Sequence, residues 1–120
     1  MKAVTVLLAL VFALSGGAKL AGLGFEIEAF ARWGYPLWFM YAVGVAEAAG
    51  AAALLVSRLS AAAAGALAAM MIGALGTHVI HAEWGMLAVA AVIFGLSAWR
   101  AWHGRVAIGA LLRPTRALHA

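Results

Sequence analysis

Apolar residues in this chain come in long blocks, separated by short clusters of charged and small polar residues. Four blocks stand out, at about residues 4–22, 37–56, 60–80 and 85–102, each close to the roughly 20 residues that carry a helix across a hydrocarbon layer. Lipid offers a backbone no hydrogen-bond partner, so every block is predicted to be helical. "SRLS" (57–60) joins the second block to the third and "HAEW" (81–84) the third to the fourth, connections so short that neighbouring helices must run antiparallel. The pattern predicts an all-α fold, a transmembrane four-helix up-and-down bundle over residues 1–104, followed by a basic cytoplasmic tail over 105–120. The one long connection, "LGFEIEAFARWGYP" (23–36), reads as a short interfacial helix ended by Gly34 and Pro36.

Composition agrees with the pattern and narrows it. Of 120 residues 68% are hydrophobic and 10% charged, against about 25% charged in an ordinary soluble domain, and four spans leave no length for a separate soluble domain. Cysteine is absent, which excludes disulfide staples, thiolate metal sites and redox relays through the protein's own sulfur. Lys2, Arg58, Arg100, Arg105, Arg113 and Arg116 fall on one side of the bundle, and Arg32 with Glu26, Glu28 and Glu83 on the other. The positive-inside rule then predicts both termini in the cytoplasm, and the plasma (inner) membrane is the expected location. Because the basic residues flank apolar segments, the net charge of +4 acts in topology; the bilayer is the expected partner and nucleic acid is not. Trp33, Tyr35, Trp38, Tyr41 and Trp84 at one interface, and Trp99 and Trp102 at the other, form the expected aromatic belts. Lys2, the apolar stretch and "ALSGGA" also resemble a signal peptide. Cleavage there would leave three spans and strand Lys19 beside the new terminus, so an uncleaved first helix is the preferred reading.

Small residues suggest how the helices pack. Ala61, Gly65, Ala69, Gly73 and Thr77 recur every fourth position in the third block, and Gly44, Ala48 and Ala52 in the second. Such stripes let transmembrane backbones approach closely. They predict tight contact between the second and third helices, with a homo-oligomer face as the alternative.

Against this apolar background the ionisable residues are conspicuous. Glu47 lies near the middle of the second span, among Gly44, Gly50 and Ala51. A lone charge at that depth costs about 2.5–3.5 kcal/mol on insertion scales, so it requires a partner or a proton. Lys19, a turn below the end of the first span, is the candidate partner, its long stem running into the bundle instead of snorkelling to the interface; the helical rise leaves roughly 10 Å of depth to close. His78 and His81, at i and i+3, can share a face, with Glu83 following. "HVIHAE" offers a conceivable metal set with Glu47, but the ExxH pairs of bundle di-iron sites are missing, and no native metal is expected.

"FALSGGAKLAG" in the first span, "YPLWFMYAVGVAEAAGAAALL" across the second and "GALGTH" late in the third together resemble the DoxX-like family of small four-helix membrane proteins, over about residues 8–102. Carried over by motif, the family's polar positions are Lys19, with Ser15 and Gly16 before it, Glu47 and His78. The resemblance implies association with membrane oxidoreductase assemblies, thiosulfate:quinone oxidoreductase subunits among them; related membrane proteins that work through cysteine pairs are no guide to a chain without cysteine.

The resulting expectation is a polar pocket in the outer half of the bilayer, lined by Lys19, Glu47 and His78, with Ser15 and Thr77 beside them and His81 at its mouth. Its ligand would be small and amphipathic, a quinone or lipid, or a small anion, held for an oxidoreductase partner. Lys19 would offer positive charge to a carbonyl or anion, Glu47 would hold Lys19 or exchange a proton, and His78 would donate or relay one. Two other readings stay open: a membrane enzyme doing acid/base chemistry on a lipid-soluble substrate with the same trio, and an assembly or chaperone scaffold in which Lys19 and Glu47 only specify helix pairing.

Overall fold

The computed structural model describes residues 1–112. They form α1 (Lys2–Leu20), α2 (Gly24–Trp33), α3 (Leu37–Leu54), α4 (Ser60–Ile80), α5 (Trp84–His103) and α6 (Arg105–Leu112). Helices α1, α3, α4 and α5 are long and apolar enough to cross a membrane, so the chain is an integral membrane protein built as an all-α bundle. The connection between the first two spans folds as α2. The first part of the segment expected as a basic tail is helical as α6, and residues 113–120 lie outside the described residues.

Local chemistry sets the helix ends. Helix α1 stops at Leu20 because Gly22 takes a φ of 64° and the Leu23 N–H turns back to the Ala18 carbonyl at 3.1 Å. Gly34 ends α2 in the same way, with φ 82° and a Tyr35 N–H bond to Phe30 O at 2.9 Å. In both places the left-handed residue satisfies carbonyls that the helix leaves unpaired, a conformation that glycine adopts without penalty. Helix α4 uses the same device on an alanine: Ala82 has φ 54° and the Glu83 N–H reaches His78 O at 2.9 Å. Helix α3 ends at Leu54, two residues short of its apolar block, where the Ser60 hydroxyl donates to the Leu54 and Val56 carbonyls.

The spans assemble as two close pairs. Helix α1 packs along α3 and α4 along α5, and each pair meets the other less extensively. The α1–α3 contact is a mutual glycine approach. A β-carbon on Gly16 would lie 2.8 Å from Ala48 N and 2.9 Å from Gly44 O; one on Gly44 would lie 2.9 Å from Lys19 Cβ. The pairs join at the end that carries Met1 and the α3–α4 turn. There Leu8, Phe12, Ala51, Leu54, Ala64 and Leu67 form the apolar core, and Arg100 Nε donates to Thr5 Oγ1 at 2.8 Å, tying α5 to α1.

The stripes of small residues therefore act differently from the expectation. Gly44 meets α1 instead of α4. On α4, Ala61 and Gly65 face Gly104 and Ala101, whereas Ala69 and Gly73 are exposed. At 3.6 residues per turn a four-residue repeat drifts by about 40° per step, which carries Ala69 and Gly73 off the face that meets α5 and turns Thr77, which is buried, toward a different part of the bundle.

This packing makes a matched prediction for thermal unfolding in detergent. Gly16→Ala and Gly44→Ala should each lose about 1–3 kcal/mol through overpacking. Gly73→Ala, with nothing within 4 Å of its added carbon, should lose nothing.

Candidate functional site

The glycine approach of α1 to α3 brings Lys19 to Glu47. Buried residues on α1 fall at Leu8, Phe12, Gly16 and Lys19, and on α3 at Met40, Gly44, Glu47, Ala51 and Leu54, so both ionisable groups lie on the packed stripes of their helices. The Lys19 stem passes Gly44, where no side chain intervenes, and Nζ reaches Glu47 Oε1 at 2.8 Å. Its other partners are Glu26 Oε2 at 3.0 Å and Ser15 Oγ at 2.8 Å. The Ser15 hydroxyl, which accepts from Lys19, donates to the Glu47 carboxylate, 2.9 Å from Oε2 and 3.1 Å from Oε1. Lys19 and Glu47 are 9% and 5% exposed: the ammonium is a buried hub and not an interfacial anchor.

Glu26 is the partner the sequence pattern did not anticipate, having been assigned to the interface. On α2 the residues Glu26, Ala29 and Phe30 are buried, and Trp33 continues their face at i+7. This spacing was the available signal. Trp33 and Tyr35, expected in the aromatic belt, are likewise turned inward, while Trp38, Trp84, Trp99 and Trp102 are exposed.

A second polar cluster gathers on Glu83, which the left-handed turn at Ala82 folds back over the last turn of α4. Oε2 accepts from Arg32 Nε and Nη2 at 3.1 and 2.9 Å; Oε1 accepts from Trp33 Nε1 at 2.9 Å and His78 Nδ1 at 3.0 Å. The hydrogen bond from His78, ahead of those from Trp33 and Arg32, holds the Glu83 carboxyl at about 2, well below its ordinary 4.5, against the opposing effect of burial. An ionised carboxylate only accepts, so His78 Nδ1 carries the hydrogen; among the described residues Nε2 has no protein partner. Glu83 pairs with His78 and not with His81, whose Nδ1 lies 2.8 Å from Thr77 O on its own helix.

Between the two clusters, at the α2 end of the bundle, lies a cavity of about 510 Å³, within the 300–1,000 Å³ or so typical of small-ligand sites. Ser15, Lys19, Glu26 and Glu47 form one polar wall, Thr77 and His78 another. The rings of Phe30, Trp33, Tyr35 and Phe39 line the α2 side, with tilted or edge contacts at 5.2–6.3 Å between centroids. Met70, Met71, Val89, Ala90 and Ile93 complete an apolar slot. Thr77 Oγ1 donates to Gly73 O at 2.9 Å, so the 2.7 Å contact with Tyr35 uses the tyrosine's proton. Of the expected pocket residues, Lys19, Glu47, His78, Ser15 and Thr77 converge here. His81 does not line the cavity, because its ring is engaged with the α4 backbone. Among the described residues no group of three or more His, Asp and Glu side chains is arranged to hold a metal ion.

In a family comparison, the DoxX-like family model matches residues 3–99. The chain belongs to the DoxX-like family. A relative from Bacillus subtilis (strain 168), described as uncharacterized protein YdgD, is 37% identical over 78 residues, covering 61% of this chain and 68% of the relative. No solved structure matches. In this DoxX-like protein the three motifs behind the resemblance are brought to one place. "FALSGGAKLAG" supplies the close-contact glycine and the ammonium, the α3 motif the carboxylate, and "GALGTH" the opposite polar wall.

A carboxyl with a lowered pKa contributes stability that is complete above its ordinary value and disappears as pH falls through the folded one. For Glu83 that window runs from 4.5 down to about 2. The stability difference between the wild type and Glu83→Gln, measured by thermal unfolding, should thus be constant above the upper value and vanish toward the lower one.

Proposed function

We propose that this DoxX-like protein binds a small amphipathic molecule, of the class of a quinone-like ring with an apolar tail, and holds it within the membrane for an oxidoreductase partner. One observation carries the reading: an ammonium, two carboxylates and a hydroxyl converge on the wall of a cavity that is otherwise aromatic and aliphatic. Charged groups this deep are costly and gather where a pathway or ligand requires them, and an apolar slot with a few converging polar groups fits an amphiphile. Met86 and Val89 line the cavity while 44% and 61% exposed, so a tail leaving past α5 enters lipid directly. With the termini cytoplasmic, as the charge bias expects, the cavity lies in the outer half of the plasma membrane. In a chain without cysteine, electrons would reside on the ligand and the partner.

His78 favours a second reading, acid/base catalysis on a lipid-soluble substrate. Glu83 orients its Nδ1–H, leaving Nε2 free as a base, which is the arrangement of an oriented catalytic histidine.

Native mass spectrometry of the purified protein, wild type and Glu47→Gln, tests the proposal. A co-purifying amphiphile is expected on the wild type and a loss of about tenfold or more in its occupancy on a still-folded Glu47→Gln, since that change removes one of the charge-assisted bonds that build the wall. Equal occupancy in the two, or none in the wild type after addition of quinone, hydroquinone or alkylamine probes, refutes it. Misassembly of Glu47→Gln with no ligand on either form is the outcome a pure scaffold requires.

A further inference from the structure

The side-chain donors around the cavity are all engaged within the protein. The three ammonium protons of Lys19 point to Ser15, Glu26 and Glu47. The Ser15 hydroxyl serves Glu47, the Tyr35 hydroxyl serves Thr77, and Trp33 Nε1 and His78 Nδ1 both serve Glu83. The acceptors are in surplus. Among the described residues Glu26 Oε1 and, as an acceptor on the neutral imidazole, His78 Nε2 have no protein partner, yet no buried side-chain nitrogen or oxygen there is left unpaired. Both atoms therefore retain accessible surface, and both residues line the cavity. Tyr35 keeps its oxygen lone pairs as well.

Charge points the same way. Around Lys19 one ammonium faces two carboxyl groups, so the cluster holds no spare positive charge for an anion. Lys19 is thus unavailable to the carbonyl or anion that the sequence alone assigned to it.

We propose that the ligand's head group is a hydrogen-bond donor, an O–H or a protonated N–H, and that the site discriminates against heads that only accept and against anions. This rests on the cavity being a binding site, as proposed above. A donor head at Glu26 or at His78 satisfies an open acceptor; an accepting head, such as a quinone carbonyl, leaves it unpaired and buried. The aromatic wall formed by Phe30, Trp33 and Phe39 suits either source, stacking on a hydroxylated ring or facing an ammonium.

The full-length protein in nanodiscs of zwitterionic lipid, held anaerobically, is titrated with two matched pairs of probes: a short-chain alkyl hydroquinone and its quinone, and an alkylamine and its trimethylammonium counterpart. In each pair the donor head is expected to bind about tenfold or more tightly, the effect of one hydrogen bond to a strong acceptor; comparison across pairs shows whether the O–H or the N–H source is preferred. A non-donating head that binds as tightly as its partner in either pair overturns the inference while leaving a binding site in place. Binding of none of the four overturns this inference and the proposed function together. In Glu26→Gln, verified as folded by its melting temperature, the carboxamide can keep its oxygen on Lys19 and present N–H to the cavity, so the preference for donors is expected to narrow; an unchanged preference in this variant also counts against the inference.

Discussion

An ammonium group within a membrane helix bundle must be surrounded by acceptors, and much of this structure follows from how Lys19 meets that demand. Its three partners come from three places: Ser15 from its own helix, Glu47 from α3 and Glu26 from α2. Removing one side of a buried ion pair commonly costs about 3–5 kcal/mol, because the other charge stays buried without compensation. The cluster therefore fixes the register of α1 against α3 and docks α2 at the same time. It can form only because Gly16 and Gly44 let the two backbones approach; a side chain at either position would hold the helices apart and lift the ammonium from the carboxylate.

The cavity is a consequence of where this contact stops. The helix pairs meet at the end that holds the apolar core and the Arg100–Thr5 bond. Toward the other end α2 spans the space between them. Glu26 fastens one end of α2 to Lys19, and Arg32 and Trp33 fasten the other to Glu83. These anchors are separated by about two turns, roughly 10 Å. With Glu26 and Arg32 engaged at its two ends, α2 offers the cavity the Phe30 ring between them.

The spans were legible in the sequence to within two residues because hydropathy and length determine them nearly alone. Lys19 and Glu47 were legible as a pair because a mid-span acid demands a partner and the first span holds the one available base. What stayed hidden depended on helix faces and turn geometry. Glu26, Ala29, Phe30 and Trp33 stand at i, i+3, i+4 and i+7, a pattern that places the acid inward, but charge sidedness alone assigned it to the interface. The bond between Glu83 and His78 requires a left-handed Ala82, a conformation that few non-glycine residues adopt and that no local motif announces. The stripe on α4 misled for the opposite reason: the small residues are present, but their repeat of four outruns the helical period.

Two consequences of the α2 arrangement bear on any ligand. A molecule that fills the cavity touches the inward face of α2, so it stabilises the docked helix by mass action, and a docked helix in turn raises affinity for the molecule. The same face carries Glu26, which belongs to the Lys19 cluster. Contact at this acid is thus felt at Glu47 through a shared ammonium, with no rearrangement of the spans. The histidine side lies outside that shared ammonium. Glu83 is held by Arg32, Trp33 and His78 together and keeps its charge far below neutral pH, so it fixes the histidine's orientation whatever the state of the Lys19 cluster. Under the proposed binding role, one wall of the cavity would meet a molecule with the charges of the Lys19 cluster, and the other with a histidine whose orientation Glu83 fixes.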